Sequence, residues 1–391
     1  MAVLNSIAQA HDEMKGWRHA LHQHPEICYE EVWTSDFIAE KLQSFGIEIH
    51  RGMGKTGVVG ILRGQGDSDC AIGLRADMDG LPMTEANEFA HKSLQEGRMH
   101  ACGHDGHMAM LLGAAKYLSQ TRQFDGTVYF IFQPAEEGGA GAKAMMEDGL
   151  FSQFDMNHIW GMHNWPGLAV GKIAVHEGAC MASADHFSIT ITGRGGHAAM
   201  PHQSQDPIIA TAALVQNLQS IVSRMIDPLE AAVVSITAIN GGAAFNVIPD
   251  QVELRGTARA LSAKVRAKLE AGIRQMSDQI AQAYGVTAQI GWRGGYPPTV
   301  NHSAESQRAI AIAGEIVGAE NITVNPPASM GAEDFAYMLE ECKGAYIWLG
   351  GGEAVVGKML HNTSYDFNDE VLPIGASYWA RLVETELPLN R

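Results

Sequence analysis

Thr127-Val-Tyr-Phe-Ile-Phe-Gln-Pro-Ala-Glu-Glu-Gly-Gly139 decides the fold. Residues 127–132 form a short apolar run of the length and composition of a buried strand, and Pro134 and Gly138-Gly139 end it. A helix is expected at 140–148 immediately afterwards. The same rhythm extends outward. Apolar runs at 57–62, 71–74 and 158–162 read as strands, and helical patterns at 4–24, 34–45 and 106–119 lie around them. Strands alternating with helices imply an α/β domain with a mainly parallel central sheet and helices on both faces.

The texture changes near Ala182. Residues 186–192 alternate, 207–225 is amphipathic, 232–240 and 247–258 read as strands, and 262–283 is a long helix followed by a strand at 286–292. That order suggests a small antiparallel sheet covered on one face by two helices, closing at the turn-rich Gly294-Gly-Tyr-Pro-Pro298. Helices at 303–317 and 369–387 and a strand at 345–349 then resume the first pattern. The expected organisation is therefore a domain of 1–181 and 296–391 interrupted by an inserted α+β domain of 182–295.

At 391 residues, with 46% hydrophobic and 18% charged residues, the chain is long enough for two or more packed cores and is not a disordered polymer. A formal net charge of −17 without basic stripes argues against nucleic acid as a partner. No apolar run approaches the roughly 18 residues of a membrane-spanning helix. The first residues lack a basic segment followed by an apolar one, and the five cysteines are scattered and odd in number. These features lead us to expect reduced thiols and a cytoplasmic location.

His100-Ala-Cys-Gly-His-Asp-Gly-His107 places a thiol and imidazoles close together, and the glycine between Cys102 and His104 lets both side chains converge on one point. Asp105 or Gly106 would start the following helix. Glu136-Glu137 follows one strand and His163 another, and the carboxyl ends of parallel strands are where ligand sites assemble. Leu360-His361 adds a further donor. Thiolate, imidazole and carboxylate together suit Zn²⁺, Mn²⁺, Co²⁺ or Ni²⁺ better than Ca²⁺ or Mg²⁺. Five protein donors exceed what one tetrahedral ion with an open position takes, and two ions sharing a water would use them all.

Of two adjacent glutamates, one can ligate while the other takes a proton from water, although the pair also fits a solvated helix start. His197 in Gly195-Gly-His197 is a candidate oxyanion donor, and Asn246 and Arg259 are candidate substrate contacts. Each also reads as an ordinary surface, turn or strand residue.

Across nearly the whole chain these motifs resemble the M20 metallopeptidase and amidohydrolase family, in its hippurate hydrolase and N-acyl-amino-acid amidohydrolase branch. The resemblance rests on Arg18–Glu26, Leu74-Arg-Ala-Asp-Met-Asp-Gly-Leu-Pro82, His100–His107, Gln133–Gly139, Gly161–Trp165, Gly195–His202, Asn246–Pro249, Gly331–Phe335 and Leu360-His361. It implies two divalent transition-metal ions on Cys102, His104, Glu137, His163 and His361, with Glu136 as general base. In that scheme Cys102 bridges, Glu137 and His361 stand on one side, and His104 and His163 on the other. It further implies Asp77 as a carboxylate fixing a ligand, His197 as a donor to the oxyanion, Asn246 and Arg259 as substrate-holding residues, and a homodimer through the inserted lid domain. His22, His24, His107, His202 and His302 match no ligand position and are assigned to structure.

The implied activity is hydrolysis of the amide bond of N-acyl amino acids, with small peptides or indole-acetyl conjugates as alternative substrates. Two other classes compete. Gly52-Met-Gly-Lys-Thr-Gly57 matches a dinucleotide fingerprint, but a strand rather than a helix follows it. A catalytically silent binding protein would not need Glu136 together with all five donors.

Overall fold

A computed structural model describes residues 2–389, which form two compact units. The first holds residues up to Gly178, Val300–Pro327 and Asp334 onward, and the second holds Ala179–Thr299 and Ala328–Glu333. The segment 328–333 carries no periodic pattern in the sequence. It joins the second unit through main-chain bonds from Ala182 N to the carbonyls of Ser329 (3.0 Å) and Gly331 (2.9 Å).

The first unit is built on an eight-stranded sheet. Its strands lie in the order Glu48–Met53, Gly57–Arg63, Asp125–Gln133, Gly66–Asp77, His158–Pro166, Gly344–Gly352, Ile173–Val175 and Ile322–Val324. The central four are mutually parallel, while Glu48–Met53, Gly57–Arg63 and Ile173–Val175 join antiparallel. The sheet is thus mixed and mostly parallel. The opening stretch occupies a central strand, which is why Phe130, Ile131 and Phe132 are all buried despite pointing to alternate faces.

The helix His104–Thr121 is buried almost all round between the sheet and the helices His11–Gln23 and Leu372–Glu386. Trp160 and Met162 share that core, whereas Gly161 between them faces Phe335 and Tyr346 on the opposite side. The helix begins at His104, one or two residues earlier than expected, because Gly103 turns the chain at φ 95°. A Cβ at 103 would stand 2.4 Å from Asn164 Oδ1 and 2.8 Å from the Tyr365 hydroxyl, so glycine is required there twice over.

In the second unit the sheet order is Ala232–Asn240, Gln251–Ala260, Asp185–Thr192, Thr287–Arg293, all antiparallel. The helices Pro207–Ser220 and Ala263–Ala283 supply Leu214, Leu218, Leu269 and Ile273 to its core. The expected single strand at 247–258 is broken at Pro249. Val247–Ile248 pairs with Gly196–His197, and only Gln251–Ala260 enters the four-stranded sheet. The expected helix at 4–24 is likewise two helices, Asn5–Gln9 and His11–Gln23. No helix among the described residues is long and apolar enough to cross a membrane.

A buried ionic cluster fixes the start of the helix His104–Thr121. Arg18 Nε donates to Asp105 Oδ2 at 2.8 Å, and His22 bridges Asp105 (2.8 Å) and Glu85 (3.1 Å). Burial opposes a charge on His22, but its bonds to Asp105 and Glu85 outweigh this and raise its pKa to about 9. Because this value exceeds the ordinary one of about 6.5, the associated stability is complete below that pH and lost as pH rises through 9. The Tm difference between wild type and His22→Gln is therefore expected to shrink between pH 6 and pH 10. A constant difference would exclude a charged His22.

Candidate metal centre

Three adjacent parallel strands deliver the site. Gly66–Asp77 and Asp125–Gln133 end level, with Asp77 paired to Gln133, so the residues just beyond each end meet. His163 lies in His158–Pro166, on the other side of Gly66–Asp77. The loop before the buried helix adds Cys102 and His104.

Cys102, His104 and His163 each place one ligand atom within 4.8 Å of the others, and so do Cys102, Glu137 and His361. Cys102 belongs to both sets. His104 Nδ1 donates to the Asp79 carbonyl at 2.8 Å, and His163 Nδ1 donates to the Asn164 carbonyl at 2.6 Å. Since a carbonyl only accepts, each Nδ1 carries a proton, so that in the neutral ring Nε2 presents the lone pair. His163 Nε2 lies 3.4 Å from the Cys102 sulfur. His361, at φ 59° and anchored by its N–H to the Ala101 carbonyl at 2.8 Å, brings Nε2 to 3.1 Å from Glu137 Oε1.

The donor set fits a cation. Among the described residues His104 Nε2 is buried without a hydrogen-bond partner, which is costly unless something else satisfies it. Burial together with the Glu137 and Glu136 carboxylates pushes the Cys102 thiol well up. Burial works against a charged His104, yet Asp77 and Asp79 raise it to about 10. His163 is held neutral by burial and by the neighbouring His107. The local field thus favours positive charge, and a divalent ion would supply it while holding the sulfur as thiolate.

Glu136 and Glu137 are oriented by one residue that the sequence reading did not single out. The Asp79 carboxylate accepts from the backbone N–H of Glu136 and of Glu137, both at 2.9 Å, while its carbonyl takes His104. The only trace in the sequence is the Asp77-Met-Asp79 spacing after a strand. Glu136 is buried, with a carboxylate oxygen in reach of His104 and Glu137. Asp77 accepts from Arg75 (2.7 Å) and pairs with His107 Nδ1 (2.6 Å), standing 3.7 Å from His104 Nε2. Arg75 also reaches Gln133 (2.8 Å) and Asp334 (3.0 Å), locking the two strand ends together. His107, read from sequence as structural, is wedged between Asp77 and Asn164.

His197, Asn246 and Arg259 all belong to the second unit. His197 is exposed, and its Nδ1 accepts from the Ala199 N–H at 3.1 Å, which leaves Nε2–H as a donor. Asn246 is its neighbour, its carbonyl accepting from Ala198 N at 3.0 Å. Arg259, on Gln251–Ala260, donates to the Met330 carbonyl at 2.9 Å.

The model of peptidase family M20/M25/M40 matches residues 73–385. The chain belongs to this family. Hippurate hydrolase of Campylobacter jejuni is 44% identical over 98% of both chains. N-acetylcysteine deacetylase of Bacillus subtilis is 40% identical over 95% of this chain and 96% of its own. Among solved structures, a dinuclear metal binding peptidase of the M20 family from Bacillus subtilis has a TM-score of 0.85 at 36% identity, covering 97% of this chain and 99% of that one. As an M20 family member, the chain is a metal-dependent amide hydrolase.

In this M20 site Asp79→Asn keeps the shape of the clamp but sets an amide N–H against one of the two backbone N–H groups. Divalent-metal affinity is expected to fall about ten- to a hundredfold, read by competition with a chromophoric chelator. Unchanged affinity would mean that the clamp does not orient the ligands.

Proposed function

We propose that the chain hydrolyses the amide bond of N-acyl amino acids with two divalent transition-metal ions, Zn²⁺, Mn²⁺, Co²⁺ or Ni²⁺. Cys102, His104 and His163 would hold one, and Cys102, Glu137 and His361 the other. The observation that carries this reading is the sulfur shared by two three-donor sets, beside a buried Glu136 that neither set needs. The relatives named for hippurate and N-acetylcysteine differ in acyl group but share an acylated amino acid.

When bound, such ions polarise a carbonyl and lower the pKa of a water to about 7. Glu136 takes the proton of the attacking water and returns it to the leaving nitrogen. Its peptide N–H, fixed on Asp79, sets the direction of the carboxylate, and its burial limits competing solvent. Asp77 holds the centre from behind through Arg75 and His107. His197, with its Nε2–H free to donate, supports the tetrahedral oxyanion. Asn246 and Arg259 hold the substrate carboxylate. The same reading assigns a homodimer through the second unit and a cytoplasmic setting.

The deciding assay is a panel of benzoyl-, acetyl- and indole-acetyl-amino acids after separate reconstitution with the four metals. Glu136→Gln is expected to retain metal and lose turnover by about 10²- to 10⁴-fold; full turnover would remove Glu136 from the role of base. Cys102→Ala is expected to lose both ions in metal analysis, whereas loss of one alone would refute a shared sulfur. His197→Ala is expected to lower kcat about 10²- to 10³-fold at unchanged metal content.

A further inference from the structure

Glu31 is a wholly buried acid that none of these roles uses. Its carboxylate takes three donors. Oε1 accepts the backbone N–H of Ala135 at 2.8 Å and that of Tyr29 at 3.0 Å, and Oε2 accepts the Thr56 hydroxyl at 2.7 Å. The two backbone partners share one property. Both are non-glycine residues in the left-handed region, Tyr29 at φ 63° and Ala135 at φ 54°. A residue with a Cβ disfavours that conformation and keeps it only where its surroundings over-determine it.

Ala135 stands directly before Glu136. From Ala135 to Glu137 three successive peptide N–H groups each end on a buried carboxylate, the first on Glu31 and the next two on Asp79. The peptide plane before Ala135 is therefore anchored on one acid and the plane after it on another, which leaves the Ala135 backbone between them no freedom to leave its left-handed bend. Rotation about its N–Cα bond would swing everything that follows, Glu136 first. The segment that holds this end of the loop also holds the other. The Tyr29 hydroxyl donates to the Gly139 carbonyl at 2.7 Å, and the Gly141 N–H closes the loop on the Ala135 carbonyl at 3.1 Å.

We infer that Glu31 is a positioning residue for Glu136. By anchoring the peptide plane before Ala135, opposite the Asp79 anchor on the plane after it, the Glu31 carboxylate holds the bend that points the Glu136 carboxylate at the attacking water. The inference rests on the reading of Glu136 as the base, and Glu31 acts through Ala135 rather than on the substrate.

The test measures kcat, KM and bound metal per chain for the full-length, metal-loaded Glu31→Ala, Glu31→Gln and Glu31→Ala/Ala135→Gly variants on N-benzoylglycine and N-acetylcysteine, together with a crystal structure of Glu31→Ala. A displacement of about 1 Å in a catalytic group costs on the order of 10²-fold. Glu31→Ala is accordingly expected to lose about 10- to 100-fold in kcat at unchanged KM and metal content, with Ala135 out of the left-handed region in its crystal structure. Glutamine keeps an oxygen for both N–H groups and can turn its amide N–H to the Thr56 oxygen, so Glu31→Gln should stay close to wild type. Glycine takes a positive φ without steric cost, so Ala135→Gly should restore part of what Glu31→Ala loses, which a generally damaged fold would not show. If Glu31→Ala is misfolded by circular dichroism, Tyr29→Phe frees only the Gly139 carbonyl and is expected to show a smaller loss of the same kind. Wild-type kcat in Glu31→Ala, a loss that tracks lost metal, or an Ala135 still left-handed in the crystal would overturn the inference. Full turnover by Glu136→Gln, assayed alongside, would remove the base and this role with it, whereas an inactive Glu136→Gln beside a fully active Glu31→Ala would refute the positioning role alone.

Discussion

The structure depends on a concentration of buried negative donors. Asp77, Glu136 and Glu137 crowd the neighbourhood of the Cys102 thiol, and the result is legible in the upward shifts of Cys102 and His104. Such a cluster is tolerable only beside a positive charge. Arg75 and His104 supply part of it. Arg75 compensates Asp77 from behind, but on the open side the donor atoms face one another. The same imbalance that is a burden for the bare protein is what gives affinity for divalent ions.

Backbone geometry, more than side-chain choice, sets the aim of these donors. His104 and His163 are oriented by main-chain carbonyls, and Glu136 and Glu137 through their own peptide N–H groups on Asp79. Those anchors move only if the strands move. The level ends of Gly66–Asp77 and Asp125–Gln133, cross-linked by Arg75 onto Gln133 and Asp334, keep them in place. Sheet register and ligand geometry are therefore one constraint.

This division explains what could be read from the sequence. The α/β class, the central strands and the candidate donors were legible, because apolar runs and the residue types that bind metal are local properties. The antiparallel strands Glu48–Met53 and Ile173–Val175 were not. The first is mostly exposed and has no apolar run, and the second is three residues long. Asp79 was missed for a different reason. Its function lies in partners 57 and 58 residues away, and an acid after a strand reads equally as a turn former. The break at Pro249 was overlooked because apolar residues continue on both sides of it, although a proline there removes a ladder donor.

One helix start serves two electrostatic environments. His104 and Asp105 are consecutive, and successive helical residues point about 100° apart. His104 accordingly faces the donor cluster, while Asp105 turns to Arg18 and His22. Without those two cations Asp105 would be a further unpaired carboxylate one residue from the candidate donor His104. Paired, it is held well below the usual carboxylate range despite its burial, by Arg18 and His22. Arg18 and His22 lie on the helix His11–Gln23, and Arg18 also pairs with Asp366 and Asp369. A single buried guanidinium thus ties the N-terminal helix to the start of the central helix and to the chain that follows His361. The neighbouring acid is thereby given partners away from the residues around Cys102.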